Sequence, residues 1–553
     1  MNTTFTSFAA FMTKRYPLLF CLLFTLLASA AIAQKNAPGK GLQIKRAKAP
    51  IHLDGKLDEA DWKEADVAKD FFLNYPIDTA LAPFQTEARL TFDDDHLYVS
   101  FVCYDDKTPD IVQSLRRDFE FDNNDNMTLV LGPYNDRING FYFSVSPLGV
   151  QLEGLVANGG ANGDDGYNPT WDNKWYSKAV KYDDKWIAEL SIPFKSFRYK
   201  SELKEWNITF LRWDRKRNTA SSWIATPIQF IPASFAYSGQ LQWVDPAPPA
   251  KMNISVIPFV AGGFTTDKEV SPIERTNDLQ VGFDAKVAVT SSLNLDLTVN
   301  PDFSQVEVDN QVINLTRFEF QFPERRQFFL ENSDLFSNMG SPFSRPFFSR
   351  RIGLVRDTTG SIKRVPILYG ARLSGSITKN WRVNLLNMQT KEQLAIGLPN
   401  QNFTVAAVQR NFWKQSSVQF SFVNKQSFGV EEGDSLKYFN DDLWKEKSIE
   451  GKVINSLNRY NRVASIDLES RSENNEWYVS SFIGKSFDDF NASQNLAGLF
   501  FLQHTKRNYQ LFVGESFIQK NFNAETGFVP SAGVYPGIYS TFANAGWTFY
   551  PKS

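Results

Sequence analysis

The feature that most constrains this chain is a two-residue alternation of apolar and polar side chains that recurs through its second half. In VGFDAKVAVTSSLNLDLTVN, residues 281–300, apolar side chains occupy alternate positions on both sides of a Ser-Ser turn at residues 291–292. Such alternation places the apolar side chains of a strand on one face of a β-sheet. Similar runs occupy residues 372–378, 381–385, 403–408, 418–422, 463–468, 477–483, 509–513 and 538–549.

Repeated alternating strands, joined by short turns or by longer polar loops, are typical of a transmembrane β-barrel. A bilayer offers no partner for backbone N–H and C=O groups, so a sheet that crosses it must close on itself. The alternative is a soluble all-β domain with one polar face. We predict an all-β protein in which residues 253–553 form an antiparallel transmembrane β-barrel.

The first half of the chain has shorter strands and less regular turns. Residues 86–104, TEARLTFDDDHLYVSFVCY, read as two strands joined by a hairpin turn of three aspartates. Strands at this spacing predict a β-sandwich over residues 41–245. The proline-rich residues 246–252 then form a linker to the barrel domain.

The N-terminus carries an export signal. Lys14 and Arg15 precede an apolar run that ends in the sequence Ala-Ile-Ala at residues 31–33, the pattern of a cleaved signal peptide. A retained transmembrane anchor is disfavoured, because the run is short and ends in small residues. Residues 1–33 are therefore predicted to be a signal peptide, and the mature protein is expected in the outer membrane of the cell.

Composition excludes some classes of partner. A formal net charge of −2 over 553 residues gives no basic surface for nucleic acid. The mature chain retains one cysteine, Cys103, which alternates in register with Leu97, Val99 and Phe101 and is predicted to be a buried apolar residue. Its three histidines are too few and too scattered for a histidine-based metal site.

A strongly charged segment, residues 300–365, interrupts the alternating strands. Its carboxylates could supply the acid pair of a glycosidase. Arginines of comparable number lie close by, however, and such mixed charge usually builds a rigid ion-paired network. A polar segment cannot lie against lipid, so we predict a plug-like insert in the barrel lumen. The predicted luminal charge network comprises Asp302, Glu307, Asp309, Arg317, Glu324, Arg325, Arg326, Glu331, Arg350 and Arg351.

Longer motifs resemble two known families. IHLDGKLDEADWKEA, TEARLTFDDDHLYVSFVCYD and WDNKWYSKAVKYDDKWIAELSIPFKSFRY resemble carbohydrate-binding module family 9, the β-sandwich modules attached to xylanases. NPDFSQVEVDN, FPERRQFFLENSDLF and FFSRRIG resemble the barrel domain catalogued as domain of unknown function 5916. Together the resemblances cover nearly all of the mature chain. They imply a bacterial outer-membrane protein with a sugar-module-like domain at the mouth of a barrel.

The resemblance to family 9 implies a sugar held between aromatic rings, with polar groups on its hydroxyls and structural calcium nearby. Trp171 is the first candidate ring, because the turn residues of GDDGYNPTW favour a solvent-exposed loop. The alternative is that Trp62, Trp175 and Trp186 are ordinary core residues. The predicted carbohydrate-binding residues are Trp171, Trp175, Tyr167, Arg117 and Asp125.

Three functions are compatible with these expectations. We favour a non-enzymatic outer-membrane protein that contacts lipid and binds or admits a glycan. The second is a glycoside hydrolase of carbohydrate catabolism, using carboxylates of the charged segment or of DFEFDNNDN. The third is an assembly role with an envelope protein as partner. The chain ends at NAGWTFYPKS, in the middle of a motif, so we also expect the barrel to be incomplete at its C-terminus.

Overall fold

The structure, a computed structural model, is dominated by β-strands, and the helices among its described residues are all short. No described helix is long and apolar enough to cross a membrane. The predicted signal peptide lies outside the described residues, as do residues 250–252 of the linker. The structure describes residues 40–160, 166–169, 171–249, 254–267, 274–290, 292–301, 313, 315, 321, 322, 324, 326–330, 334–337, 339–356, 362–393, 398–428, 459–489, 493–531 and 537–550.

The N-terminal half is a β-sandwich, as predicted. Its strands are β1 (Gly41–Arg46), β2 (Phe72–Tyr75), β3 (Thr86–Phe92), β4 (His96–Tyr104), β5 (Asn126–Gly132), β6 (Gly140–Val145), β7 (Gln151–Val156), β8 (Tyr167–Asn168), β9 (Tyr176–Lys181), β10 (Lys185–Pro193), β11 (Glu205–Asp214), β12 (Thr219–Ser222) and β13 (Gly239–Trp243). Its helices are α1 (Ala60–Glu64) and the 3-10 turns Phe194–Ser196, Arg215–Arg217 and Phe235–Tyr237.

Two layers share the strand β1. One layer has the order β8-β7-β6-β5-β11-β13-β1, with β12 paired to β11 and β2 paired to β12, and the other has the order β1-β3-β4-β10-β9. The first part of β1 pairs with β13, and its last two residues pair with β3. The apolar faces of the two layers therefore meet in one core.

The core confirms the alternation expected for β4. Leu97, Val99, Phe101 and Cys103 are all fully buried and pack with residues of the opposite layer such as Phe210. Burial in this apolar setting raises the pKa of the Cys103 thiol to about 12. Cys103 is thus a structural residue of the core, as predicted.

The C-terminal half is a single antiparallel sheet. In the described part of the chain its twelve strands are β14 (Ile254–Asp267), β15 (Glu274–Thr290), β16 (Leu293–Val299), β19 (Ile367–Ser376), β20 (Trp381–Thr390), β21 (Gln401–Phe412), β22 (Ser416–Ser427), β23 (Tyr460–Arg471), β24 (Trp477–Asp488), β25 (Leu496–Thr505), β26 (Tyr509–Ile518) and β27 (Ile538–Trp547). Between β16 and β19 lie α2 (Gln327–Leu330), α3 (Asp334–Ser337), the 3-10 turn Ser349–Arg351 and the hairpin of β17 (Leu354–Arg356) and β18 (Ile362–Arg364).

The strands of this sheet follow one another in chain order, each paired with the next. In the described residues, β14 and β27 form the two ends of the sheet and are not hydrogen-bonded to each other. The predicted strands are therefore present, but within these residues the sheet is open. Closure into a barrel and a membrane environment stay predictions.

Described residues of the charged segment between β16 and β19 pack against one face of the sheet, which we call the inner face. Phe329 and Phe336 of the segment lie in one apolar cluster with Met388 of β20. The backbone N–H of Gly340 donates to the carboxylate of Asp467 on β23, at 2.6 Å. These residues of the predicted insert therefore pack on the sheet, whereas the described residues Ile313 and Leu315 are exposed to solvent.

Part of the predicted charge network is described. Glu324 and Arg326 form an ion pair at 2.7 Å, and Arg326 also donates to backbone carbonyls of the segment. Arg350 and Arg351 each lie over a phenylalanine ring. The other predicted members lie outside the described residues: Asp302, Glu307, Asp309, Arg317, Arg325 and Glu331.

Candidate functional site

The sandwich carries a cluster of polar side chains around a partly exposed arginine. β7 contributes two of them from one face, because alternate residues of a strand point the same way. The loop before β5 contributes the arginine, and β9 with the residues before it contributes the rest. We call this group the Arg117 cluster, and its members are Arg117, Gln151, Glu153, Asp172, Asn173, Trp175 and Ser177.

Glu153 is the centre of the cluster and is fully buried. Its Oε1 accepts hydrogen bonds from the Arg117 guanidinium and from the Asn173 backbone N–H, the latter at 3.1 Å. Its Oε2 accepts the indole N–H of Trp175 at 2.9 Å. Burial raises the pKa of Glu153, although all three donors act in the opposite direction. This carboxylate fixes the arginine above it.

Arg117 connects the buried Glu153 carboxylate to the protein surface. Its side chain is 37% exposed, and it donates to Gln151 Oε1 at 2.8 Å and to the Asn173 carbonyl at 2.6 Å. The exposed carboxylate of Asp172 lies 3.6 Å from the guanidinium. Gln151 Nε2 in turn donates to Ser177 Oγ at 2.9 Å. A guanidinium, a carboxylate, an amide and a hydroxyl thus lie side by side, a set of donors and acceptors that can bind hydroxyl groups.

Neither predicted tryptophan presents its ring to solvent. Trp171 is 6% exposed, and its ring centroid lies 5.1 Å from that of Phe141, while Trp175 is 2% exposed and lies 5.6 Å from Phe143. The prediction that turn residues keep Trp171 exposed is wrong. Turn residues set the path of the backbone, but the indole folds onto an aromatic core, where burial of its apolar area is favourable.

The remaining predicted residues serve the sandwich in other ways. Tyr167 packs against Tyr142 at a centroid distance of 5.9 Å, and burial raises the pKa of its hydroxyl. The buried carboxylate of Asp125 accepts the backbone N–H groups of Ile111, at 2.7 Å, and Arg215, at 2.6 Å, and so joins two loops. Of the five predicted residues, Arg117 and Trp175 belong to one cluster, because both donate hydrogen bonds to the Glu153 carboxylate.

Sequence reasoning missed Glu153. The signal was present in QLEGLV, where Gln151 and Glu153 place two polar side chains on one face of a strand inside an apolar sandwich. A buried carboxylate of this kind needs donors. Because Arg117 and Trp175 were already candidate site residues with N–H donors, they could have been assigned to Glu153 as its hydrogen-bond partners.

A second charged group of the sandwich contains the carboxylates of Asp105, Asp106, Asp110 and Asp214. The Lys216 ammonium lies between Asp105 and Asp110, and Arg217 pairs with Asp106 and Asp214 at 2.6 Å each. Although burial acts to raise it, the hydrogen bond from Lys216 holds the pKa of Asp105 below its ordinary value. In the described part of the chain, no three His, Cys, Asp or Glu side chains group to hold a metal ion. The structural calcium implied by the resemblance stays a prediction.

Comparison with known sequences identifies the C-terminal half. The profile of DUF5916, a domain of unknown function, matches residues 248–525, from the linker to the loop after β26. The chain belongs to the DUF5916 family. No curated protein matches the sequence significantly.

Solved structures similar to part of this DUF5916 protein include a family 9 carbohydrate-binding module from Caldicellulosiruptor kristjanssonii. Its complex with cellotriose has 13% identity and a TM-score of 0.27, and covers 37% of this chain and 93% of that chain. Its complex with glucose has 14% identity and a TM-score of 0.26, with 37% and 95% covered. A proposed carbohydrate-binding protein from Bacteroides uniformis has 12% identity and a TM-score of 0.30, with 37% and 99% covered.

Proposed function

We propose that this DUF5916 protein is embedded in the outer membrane through its twelve-stranded sheet and binds a glycan through the Arg117 cluster. The apolar outer face of the sheet supports the first part. The second part depends on one observation, the partly exposed guanidinium of Arg117 fixed over the buried Glu153.

The outer face of the sheet, opposite to the charged segment, exposes large apolar side chains across many strands. Monomeric soluble proteins rarely expose contiguous apolar surface of this kind, whereas lipid covers it without cost. The inner face is instead rich in buried serine, asparagine and charged side chains. The outer-face residues that are between 38% and 54% exposed include Leu385, Phe420, Phe422, Ile466, Leu511 and Val513.

Aromatic residues border this apolar band at both ends of the strands. Trp381 and Trp477 begin β20 and β24, while Phe487 and Tyr539 lie near the opposite ends of β24 and β27. The eleven residues from Trp477 to Phe487, ten rises of about 3.3 Å, cover ~33 Å of strand. At a strand tilt of about 45° they cross about 23 Å, close to the apolar band of about 25 Å in outer-membrane barrels.

The Arg117 cluster has the chemistry of a sugar site. One hydroxyl of a sugar can accept a hydrogen bond from the Arg117 guanidinium while its neighbour donates to the Asp172 carboxylate. Glu153 already holds the guanidinium in place, so little side-chain freedom is lost when a ligand binds. The cluster is therefore organised before its ligand arrives.

Binding is favoured over glycoside hydrolysis, because buried carboxylates of the described inner face have partners within the protein: Asp467 accepts the Gly340 backbone N–H, and two others form ion pairs. Asp296 pairs with Arg372 at 2.9 Å, and Glu525 pairs with Lys425 at 2.7 Å. A glycosidase instead needs two carboxyl groups facing the glycosidic bond in an accessible cleft, one of them able to give up a proton.

The test of the glycan site is a glycan array probed with the whole protein in detergent, followed by titration with the best-bound oligosaccharide. Arg117→Ala should weaken binding by ~10- to 150-fold, the equivalent of about 1.5–3 kcal/mol for a charged hydrogen bond. Asp172→Ala should also weaken binding, and it leaves the fold intact because that side chain is 69% exposed. Arg89→Ala is the matched control, since Arg89 pairs with Glu87 elsewhere on the sandwich.

Unchanged affinity in both Arg117→Ala and Asp172→Ala would refute the site. The membrane part has a separate test in cell fractionation. We expect the protein in the outer-membrane fraction and retained there after a urea wash, and recovery in the soluble fraction would refute membrane insertion.

A further inference from the structure

We infer that the sandwich and its Arg117 cluster lie on the periplasmic side of the outer membrane, so that the glycan partner is one present in the periplasm. The inference rests on the proposed membrane insertion. It follows from how the sandwich is stacked on the twelve-stranded sheet.

The two ends of the sheet differ in the length of their connections. At the short-turn end, successive strands are joined by residues 291–292, 377–380, 413–415, 472–476 and 506–508. At the opposite end they are joined by residues 268–273, 300–366, 391–400, 428–459, 489–495 and 519–537. Outer-membrane barrels have short turns on the periplasmic side and longer loops outside the cell.

The sandwich contacts the turn at residues 472–476 with two hydrogen bonds. Tyr237 Oη donates to the carbonyl of Asn474 at 2.8 Å, and Asn475 Nδ2 donates to Ser234 Oγ at 3.0 Å. Both sandwich residues belong to the segment that leads into β13. This turn is therefore docked on the sandwich.

Other short turns make similar contacts. The carboxylate of Asp78, which is 7% exposed, pairs with Arg507 at 2.8 Å. Lys200 Nζ donates to the carbonyl of Thr378 at 3.4 Å. Gly159 approaches Gln415 so closely that a Cβ there would lie 3.3 Å from the side-chain oxygen. Four of the five short turns thus touch the sandwich.

The chain path agrees with these contacts. The linker enters the sheet at Ile254, which pairs with Val287, three residues before the end of β15 at the short-turn end. Within the sandwich, β7 begins at Gln151 of the Arg117 cluster and ends at Val156, just before Gly159 meets the sheet. The Gln151 end of the cluster therefore points away from the sheet, into the compartment that the short turns face.

The test adds one cysteine at a time to the full chain, which is produced in a bacterium with an outer membrane. Lys178→Cys lies on β9 of the sandwich, and Lys391→Cys lies at the start of the connection 391–400, at the opposite end of the sheet. The two lysines are matched, because both are exposed. Cells are treated with a membrane-impermeant maleimide before and after permeabilisation of the outer membrane. The buried Cys103 of the parent protein should react only after denaturation.

We expect Lys391→Cys to react in intact cells, and Lys178→Cys to rise from background to full labelling only after permeabilisation. Labelling of Lys178→Cys in intact cells, in protein that fractionates with the outer membrane, would overturn the inference and leave the proposed membrane insertion standing. Recovery of both variants in the soluble periplasmic fraction would overturn both this inference and the proposed membrane insertion.

Discussion

Replacing Glu189 by glutamine should remove a pH dependence from the stability of the sandwich. Glu189 lies on β10 and is fully buried. Its Oε2 accepts the backbone N–H groups of Gly55, at 2.8 Å, and Asp54, at 3.1 Å, and its Oε1 accepts the Trp62 indole at 3.1 Å. Burial raises the pKa of this carboxyl from 4.5 to about 7, although these donors act to lower it.

The direction of this pH dependence follows from the linkage between proton binding and folding. Because the folded pKa lies above the unfolded value, the folded state binds more protons between pH 4.5 and about 7, and stability falls as pH rises through that window. At 1.36 kcal/mol per pKa unit, the shift corresponds to about 3 kcal/mol of stability, present below the unfolded pKa and lost above the folded one. The glutamine side chain of the Glu189→Gln variant does not titrate, so the stability of this variant should lack the pH-dependent loss described for Glu189.

The assay is urea unfolding of the whole protein at pH 5 and pH 8, followed by tryptophan fluorescence. Eight of the thirteen tryptophans lie between residues 62 and 243, so the signal reports on the sandwich. The parent should lose stability from pH 5 to pH 8 relative to Glu189→Gln, while Glu87→Gln, at a partly exposed ion pair, should behave like the parent. Equal pH dependence in the parent and Glu189→Gln would refute the reasoning.

Three further substitutions test the packing. Trp171→Ala should lower the free energy of unfolding by about 3–5 kcal/mol in the same urea assay, because the ring is buried against Phe141, and unchanged stability would contradict that burial. Trp175→Phe should cost about 1–3 kcal/mol and weaken glycan binding, since Glu153 loses its indole donor, and an unaffected variant would show that the bond is not made. Lys425→Met should cost about 3–5 kcal/mol, measured as earlier thermal unfolding of the sheet, because it removes the Lys425 ammonium from the buried Glu525 carboxylate. Adding Glu525→Gln should recover part of that loss, and no recovery would contradict an ion-pair origin.

The fold class and most strands followed from sequence alone. Alternation predicted strands within β22 and β24 and in most of the second half, and it predicted the buried face of β4 that contains Cys103. These features are local, because the direction of each side chain in a strand is set by the pleat of its own backbone. Whether the sheet closes was less accessible from the sequence, since closure depends on the pairing of strands that lie far apart in the chain.

Only the tertiary structure decided the candidate site and the stacking of the two halves. Turn residues predicted a loop at Trp171, but they could not show that an aromatic core lies within reach of its indole. Arg117 and Glu153 are 36 residues apart and meet only because β7 passes beside the loop before β5. The docking of Tyr237 on residue 474 joins positions 237 apart. Sequence periodicity indicates which side of its own strand each side chain points to. The burial of a side chain and its partners depend instead on which surfaces of the protein meet, and long-range packing determines that.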